Sequence, residues 1–292
     1  MIRVAGPAAP GLASGAGALP ASQWLAQRLA EANQPPLRPR LPLQWQGLVI
    51  GSVEAGLLQA LERAAGPGGP LSWRLGSADG VASVEVAGPL SAALAQMATT
   101  LRHAGLAPVW RDELLPVTDP EGREIAGVER AVVRLLGIAT RAVHLVGLAP
   151  DGRHWVQQRS LTKANDPGLW DTLVGGMVPA GESLAQALAR ETWEEAGLVA
   201  DQLQQLSPGG RLALRRPADA AGGSGYVVEE IDWYRCVLAP GQVPVNQDGE
   251  VAQFRLMAID QLQQALLRGE FTLEAALILA QALGWAEGEL PG

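Results

Sequence analysis

Residues 176–198 read GMVPAGESLAQALARETWEEAGL, a glycine-led loop running into an amphipathic helix. Glu191, Glu194 and Glu195 stand at i, i+3 and i+4, so a helix of 3.6 residues per turn puts all three carboxylates on one face. Like charges that close repel one another unless a cation sits among them. Hard oxygen ligands suit Mg²⁺ or Mn²⁺, which are held by a few carboxylates together with waters and substrate phosphates. Ser183 is a good N-cap and Gly197 a natural C′ residue, and the spacing predicts a helix between them. Gly175 and Gly176 allow the preceding loop to approach a ligand closely. Taken alone, RETWEE at 190–195 is an ordinary solvated helix face with Arg190 paired to Glu194. Gly176 and Glu182 at their fixed intervals are what single it out.

Outward from this stretch, 292 residues suffice for one large or two ordinary domains, and two are expected. A hydrophobic share of 48% supports globular cores, while a net charge of −8 argues against bulk nucleic-acid or membrane-surface binding. An anionic substrate would then need local cations, either a metal or Arg and Lys side chains. Cys236 is the only cysteine, so no intramolecular disulfide and no thiolate metal site can form within the chain, which fits a reducing, cytoplasmic setting. No run of 18 or more apolar residues occurs, so no transmembrane helix is expected. Residues 1–19, rich in Ala, Gly and Pro, read as a flexible tail.

The segment 20–127 reads as a small α+β accessory domain. Helices are expected over 22–32, 53–65 and 90–103, with strands over 48–50, 71–75, 81–86 and 107–117. The PPLRPRLPLQW run from Pro35 to Trp45 is too proline-rich for a helix or a central strand and reads as an extended connection. A boundary is placed near Gly127, after the DPEG turn at 119–122.

The second domain, 128–292, shows strands over 142–148, 155–159, 226–238 and 251–257, a further strand after the carboxylate helix, and two closing helices over 259–268 and 273–283. Mixed strands with helices on either side suggest an α/β/α sandwich. Arg159 and Lys163 lie just upstream of the carboxylate helix, where a polyphosphate would need neutralising charge.

The intervals Gly176, five residues, Glu182, seven residues, Arg190-Glu191, two residues, Glu194-Glu195, one residue, Gly197 and an apolar residue resemble the Nudix box. Thr192 stands where the pattern has an apolar residue, a departure that touches packing rather than chemistry. The resemblance extends over about residues 45 to 285, to the Nudix hydrolases with an extra N-terminal domain of the thiamine-pyrophosphokinase-associated type. It implies a Nudix α/β/α sandwich with a mixed sheet, and Mg²⁺-dependent hydrolysis of a small-molecule diphosphate, Mn²⁺ being a possible substitute. In that subgroup the substrate is thiamine diphosphate or its oxidised analogues, cleaved to the monophosphate.

Carried over by residue, the resemblance makes Glu191, Glu194 and Glu195 the metal ligands or base, with Arg190 orienting them and Glu182 a supporting partner or outer ligand. Glu250 is the first candidate for a further acid from outside the box, with Glu230 behind it. Arg159 and Lys163 would grip phosphates beside Gly175 and Gly176, and Trp170 could stack on a heterocyclic ring, although core packing is the plainer role for it. Another nucleoside diphosphate derivative is the main alternative substrate. The stretch RSLTK through PGLWDTLV also resembles isopentenyl-diphosphate isomerases, but Gly175 and Met177 stand where that family has its Cys and His. A Nudix-derived ligand-binding module is the third reading, and such modules often lose the glutamates kept here. Neither nucleic acid nor membrane is an expected partner, and oligomeric state is not legible.

Overall fold

The computed structural model describes residues 21–65, 72–78, 80–218 and 223–285; the expected tail at 1–19 lies outside them. The chain opens with helix α1 (Ala21–Ala32), followed by strands β1 (Arg40–Trp45) and β2 (Leu48–Glu54), helix α2 (Ala55–Ala65), strands β3 (Trp73–Ala78) and β4 (Val81–Val86), and helix α3 (Leu90–His103). These four strands form one sheet in the order β2-β1-β4-β3. The hairpin β5 (Leu114–Thr118) and β6 (Glu124–Glu129) follows as a sheet of its own.

Three expectations for this region are corrected. The second part of the proline-rich run, Arg40–Trp45, is a central strand and only residues 35–39 are a connection: β1 pairs with β2 along its length, and its pairing with β4 begins only at Leu43, after Pro42. The missing N–H of Pro42 therefore costs no bond to β4. Val53 and Glu54 close β2 instead of opening a helix, and residues 107–113 are irregular, so only the end of the strand expected over 107–117 forms.

The second half supplies β7 (Thr140–Leu148), β8 (His154–Arg159), β9 (Trp170–Asp171), β10 (Val174–Met177), α4 (Leu184–Ala196), β11 (Gln204–Ala218), β12 (Gly225–Val237), β13 (Val251–Met257), α5 (Ile259–Leu267) and α6 (Leu273–Ala282). The sheet runs β11-β12-β7-β8-β13, with β10 added to β7 and β9 to β8; β12 and β7 are parallel and their other neighbours antiparallel. Period-two alternation splits β7 between two cores. Val143 and Leu145 pack with Ala187 and Leu188 of α4, whereas Ala142 and Val146 pack with α5 and α6. The fold is thus a mixed sheet between helical layers, an α/β/α sandwich preceded by a small α+β region.

The division at Gly127 does not follow the packing. Gly127 lies inside β6, and the first core continues through Val128, Val133 and Leu136 to Ile138. Conversely, α1 packs on the second core: Trp24 meets Trp285 edge-to-face at 5.4 Å, and Gln34 N donates to the Arg215 carbonyl. Arg40 ties the two halves, donating from Nη1 to the Ser224 carbonyl (2.5 Å) and from Nη2 to that of Leu135 (2.7 Å).

Candidate active site

Local chemistry sets α4. Ser183 Oγ accepts from Gln186 N, and Gln186 Oε1 accepts from Ser183 N, a reciprocal capping box. Gly197 ends the helix at φ +62°, the left-handed conformation that favours glycine. The loop before α4 is held from the β5–β6 hairpin: Ala180 N donates to the Leu114 carbonyl and Gly181 N to Glu124 Oε2.

The carboxylates on α4 are not left to repel one another. Arg190 Nε donates to Glu182 (3.1 Å), and its Nη1 donates to both Glu191 and Glu194 at 2.9 Å. Nη2 donates to the Met177 carbonyl, anchoring this fork to β10. Burial works against the charge on Arg190, but its partners, Glu191 foremost, outweigh burial and raise its pKa. Burial raises Glu191 despite Arg190.

Glu195 has a different environment. It is 1% exposed, and its Oε2 accepts from Gly175 N at 2.8 Å and from Gln157 Nε2 at 2.9 Å. Burial pushes its carboxyl up to about 8, against the pull of the Lys163 ammonium 3.7 Å from Oε1 and with Glu191 adding repulsion. Lys163 is also ion-paired to Glu250. Burial would raise Glu250, but Lys163 holds it below the usual carboxylate range.

Among the described residues no three His, Cys, Asp or Glu side chains already converge as a metal shell, because Arg190 and Lys163 occupy the carboxylates. The donor set nevertheless fits a hard divalent cation. Glu191 raises the affinity of buried Glu195 for positive charge, and Oε1 of Gln157, whose amide holds Glu195, is sealed from solvent without a partner. Glu191, Glu194, Glu195 and Glu250 are the residues that could hold such an ion, with Glu182 behind Arg190.

Glu191, Glu194 and Glu250 open onto a cavity of about 740 Å³, together with Gly175, Gly176, Arg159 and Lys163. Arg159 is partly engaged, donating from Nη1 to Asp171 Oδ2 and from Nε and Nη2 to the Asn165 carbonyl. Gly175 lies over the ring of His144, where a Cβ would come 2.6 Å from Cε1, and a Cβ on Gly176 would overlap the Glu191 carboxylate.

Two expected substrate contacts do not reach this cavity. Trp170, 8% exposed, packs in the core with Phe271, and among the described residues no tryptophan lines the cavity. Glu230 points the other way, pairing with Arg211 beside a smaller cavity, because strand alternation turns its neighbour Glu229 inward instead. Glu229, His144, Asp171, Arg216 and Glu274 also line the cavity. A period-two reading of β7 and β12 would have placed His144 and Glu229 on one face, but nothing in sequence pairs those strands.

Residues 139–278 match the family model of the NUDIX domain. Those residues form a NUDIX domain. Over 211 residues the chain is 30% identical to Nudix hydrolase 24, chloroplastic, of Arabidopsis thaliana, covering 68% of this chain and 56% of that protein. It is 33% identical over 193 residues to Nudix hydrolase 20, chloroplastic, of the same plant, covering 61% and 48%. The chain thus spans about half the length of these relatives, and the likeness reaches beyond the NUDIX domain itself. Among solved structures, DR0079 from Deinococcus radiodurans overlays 57% of this chain and 98% of its own, at 20% identity and a TM-score of 0.46. No helix among the described residues is long and apolar enough to cross a membrane.

Proposed function

We propose that the NUDIX domain of this chain hydrolyses a small-molecule diphosphate, thiamine diphosphate or its oxidised analogues being the first choice, to the monophosphate and phosphate. The observation that carries the reading is the convergence on one cavity of Glu191, Glu194 and Glu250 with Arg159 and Lys163, beside a backbone bared by Gly175 and Gly176. Relatives named Nudix hydrolases that share sequence beyond the NUDIX span support hydrolysis.

A divalent cation, Mg²⁺ or Mn²⁺, held by Glu191, Glu194, Glu195 and Glu250 would neutralise phosphate charge and lower the pKa of the attacking water. Arg159 and Lys163 would face the phosphate oxygens, and Arg190 would hold Glu182, Glu191 and Glu194 in place. Glu191 or Glu195 would take the proton of the attacking water. Isomerase chemistry lacks its thiol: Cys236 is buried in the core, and burial pushes its pKa up to about 12. The single cysteine supports a reducing, cytoplasmic setting.

Purified protein with Mg²⁺ is expected to release monophosphate from one member of a panel of thiamine and nucleoside diphosphates. Glu194→Gln should lower kcat by roughly 10²-fold or more while leaving the melting temperature within a few degrees. A wild-type protein inert across the whole panel would sink the proposal.

A further inference from the structure

The same cavity is also lined by His144 and Ala142 of β7 and by Glu274 in the first turn of α6. His144 is 7% exposed, and its protonation pattern follows from its neighbours. Thr172 Oγ1 lies 2.8 Å from the Val174 carbonyl, which can only accept, so the single hydroxyl proton points there. The same oxygen lies 2.8 Å from His144 Nδ1 and must therefore accept from it. Asp171 Oδ1, 3.7 Å from Nδ1, favours a proton there too.

A neutral ring with its proton on Nδ1 carries a lone pair on Nε2. Burial lowers the pKa of His144 against the opposing pull of Asp171 and Glu274, which favours the neutral ring. Among the described residues Nε2 has no hydrogen-bond partner, yet it is not one of the polar atoms sealed from solvent, as His154 Nδ1 is. On a side chain that lines the cavity, Nε2 is thus an unmet acceptor turned to it. Glu274 has Oε1 engaged by Arg216 at 3.1 Å, leaving its other oxygen for a ligand. Two such acceptors favour an N–H group as their partner.

We propose that His144 Nε2 and the unengaged oxygen of Glu274 form the subsite for an N–H donor on the organic part of the substrate, so that the substrate class is diphosphates of amino-substituted heteroaromatic rings. This rests on the reading that the α4 end takes the diphosphate, but the subsite can be tested without phosphate.

Two matched pairs serve as probes in titration calorimetry with the full chain: thiamine against its desamino analogue, and adenosine against purine riboside. The amine-bearing member of at least one pair should bind about tenfold tighter, the worth of one buried hydrogen bond. His144→Phe should erase that preference, and Thr172→Val, which releases the Nδ1 proton's partner, should weaken it. In case either variant fails to fold, ¹⁵N spectra of wild type give an independent readout: Nε2 should show the shift of an unprotonated nitrogen, moving on binding of the amine. Equal or undetectable binding within both pairs, or a protonated Nε2, overturns the subsite. An amine preference in a protein that hydrolyses no diphosphate would instead overturn the proposed function and leave the subsite standing.

Discussion

The α-carbon of Gly176 lies against the carboxylate of Glu191, so that any side chain on Gly176 would occupy the space of Glu191 Cδ and Oε1. Glu191 cannot yield freely, because Arg190 Nη1 holds it at 2.9 Å. Gly176→Ala should therefore displace that carboxylate by about an ångström while leaving β10 paired to β7. The expected result is a loss of kcat/KM of roughly 10²-fold with little change in melting temperature. Wild-type activity in this variant would show that the position of Glu191 does not matter.

Arg190 reaches Glu182, Glu191 and Glu194 through the fixed geometry of one guanidinium. Lysine keeps the charge but not the fork. Arg190→Lys should cost roughly tenfold or more in kcat and raise the Mg²⁺ concentration needed for half-maximal activity, both read from a metal titration. If lysine restores full activity to an Arg190→Ala protein, charge alone is sufficient and the orienting role is wrong.

His154 is buried with Nδ1 unpartnered, and burial lowers its pKa. In the unfolded chain an imidazole titrates near about 6.5, so below that pH the unfolded state binds more protons than the native one. The stability contributed by neutral His154 is complete above that value and is lost as pH falls towards the lower folded pKa. Burial-raised Glu191, Glu195 and Glu229 act in the opposite sense, losing stability as pH rises above the ordinary carboxylate range. Comparing wild type with His154→Phe isolates the histidine: the difference in urea midpoint should shift in favour of the variant between pH 7.5 and pH 5.5. A pH-independent difference would remove His154 as a source of acid sensitivity.

Arg40 joins the two cores by donating to the carbonyls of Ser52, Leu135 and Ser224. Arg40→Met keeps the aliphatic stem but leaves those carbonyls without a charged donor. A loss of roughly 2–4 kcal/mol is expected in urea unfolding. Gly51 is a neighbouring test, since a Cβ there would overlap the Leu136 carbonyl, a backbone atom with little room to move. An Arg40→Met protein as stable as wild type would mean that the junction is held by apolar packing alone.

The carboxylate helix was legible because its signals are local. Ser183, Gln186 and Gly197 cap it through bonds within a few residues, and the i, i+3, i+4 spacing alone fixes the common face of Glu191, Glu194 and Glu195. Strands β12 and β13 and helix α3 were equally readable from alternation and periodicity. Strand β1 was not, because proline argues against a central strand until its partners are known.

The capped helix, its three carboxylates and the glycines that bare the adjoining backbone can be read from the chain alone, since each depends on covalent spacing and backbone conformation. Which charges meet depends on how the elements pack. That packing set Lys163 between Glu195 and Glu250, turned Glu229 inward and Glu230 out, buried Trp170 in the core, and laid His144 beneath Gly175 through the pairing of β7 with β10. Those relationships join residues from separate strands and helices, and they are fixed by sheet register and core packing, which no local pattern encodes.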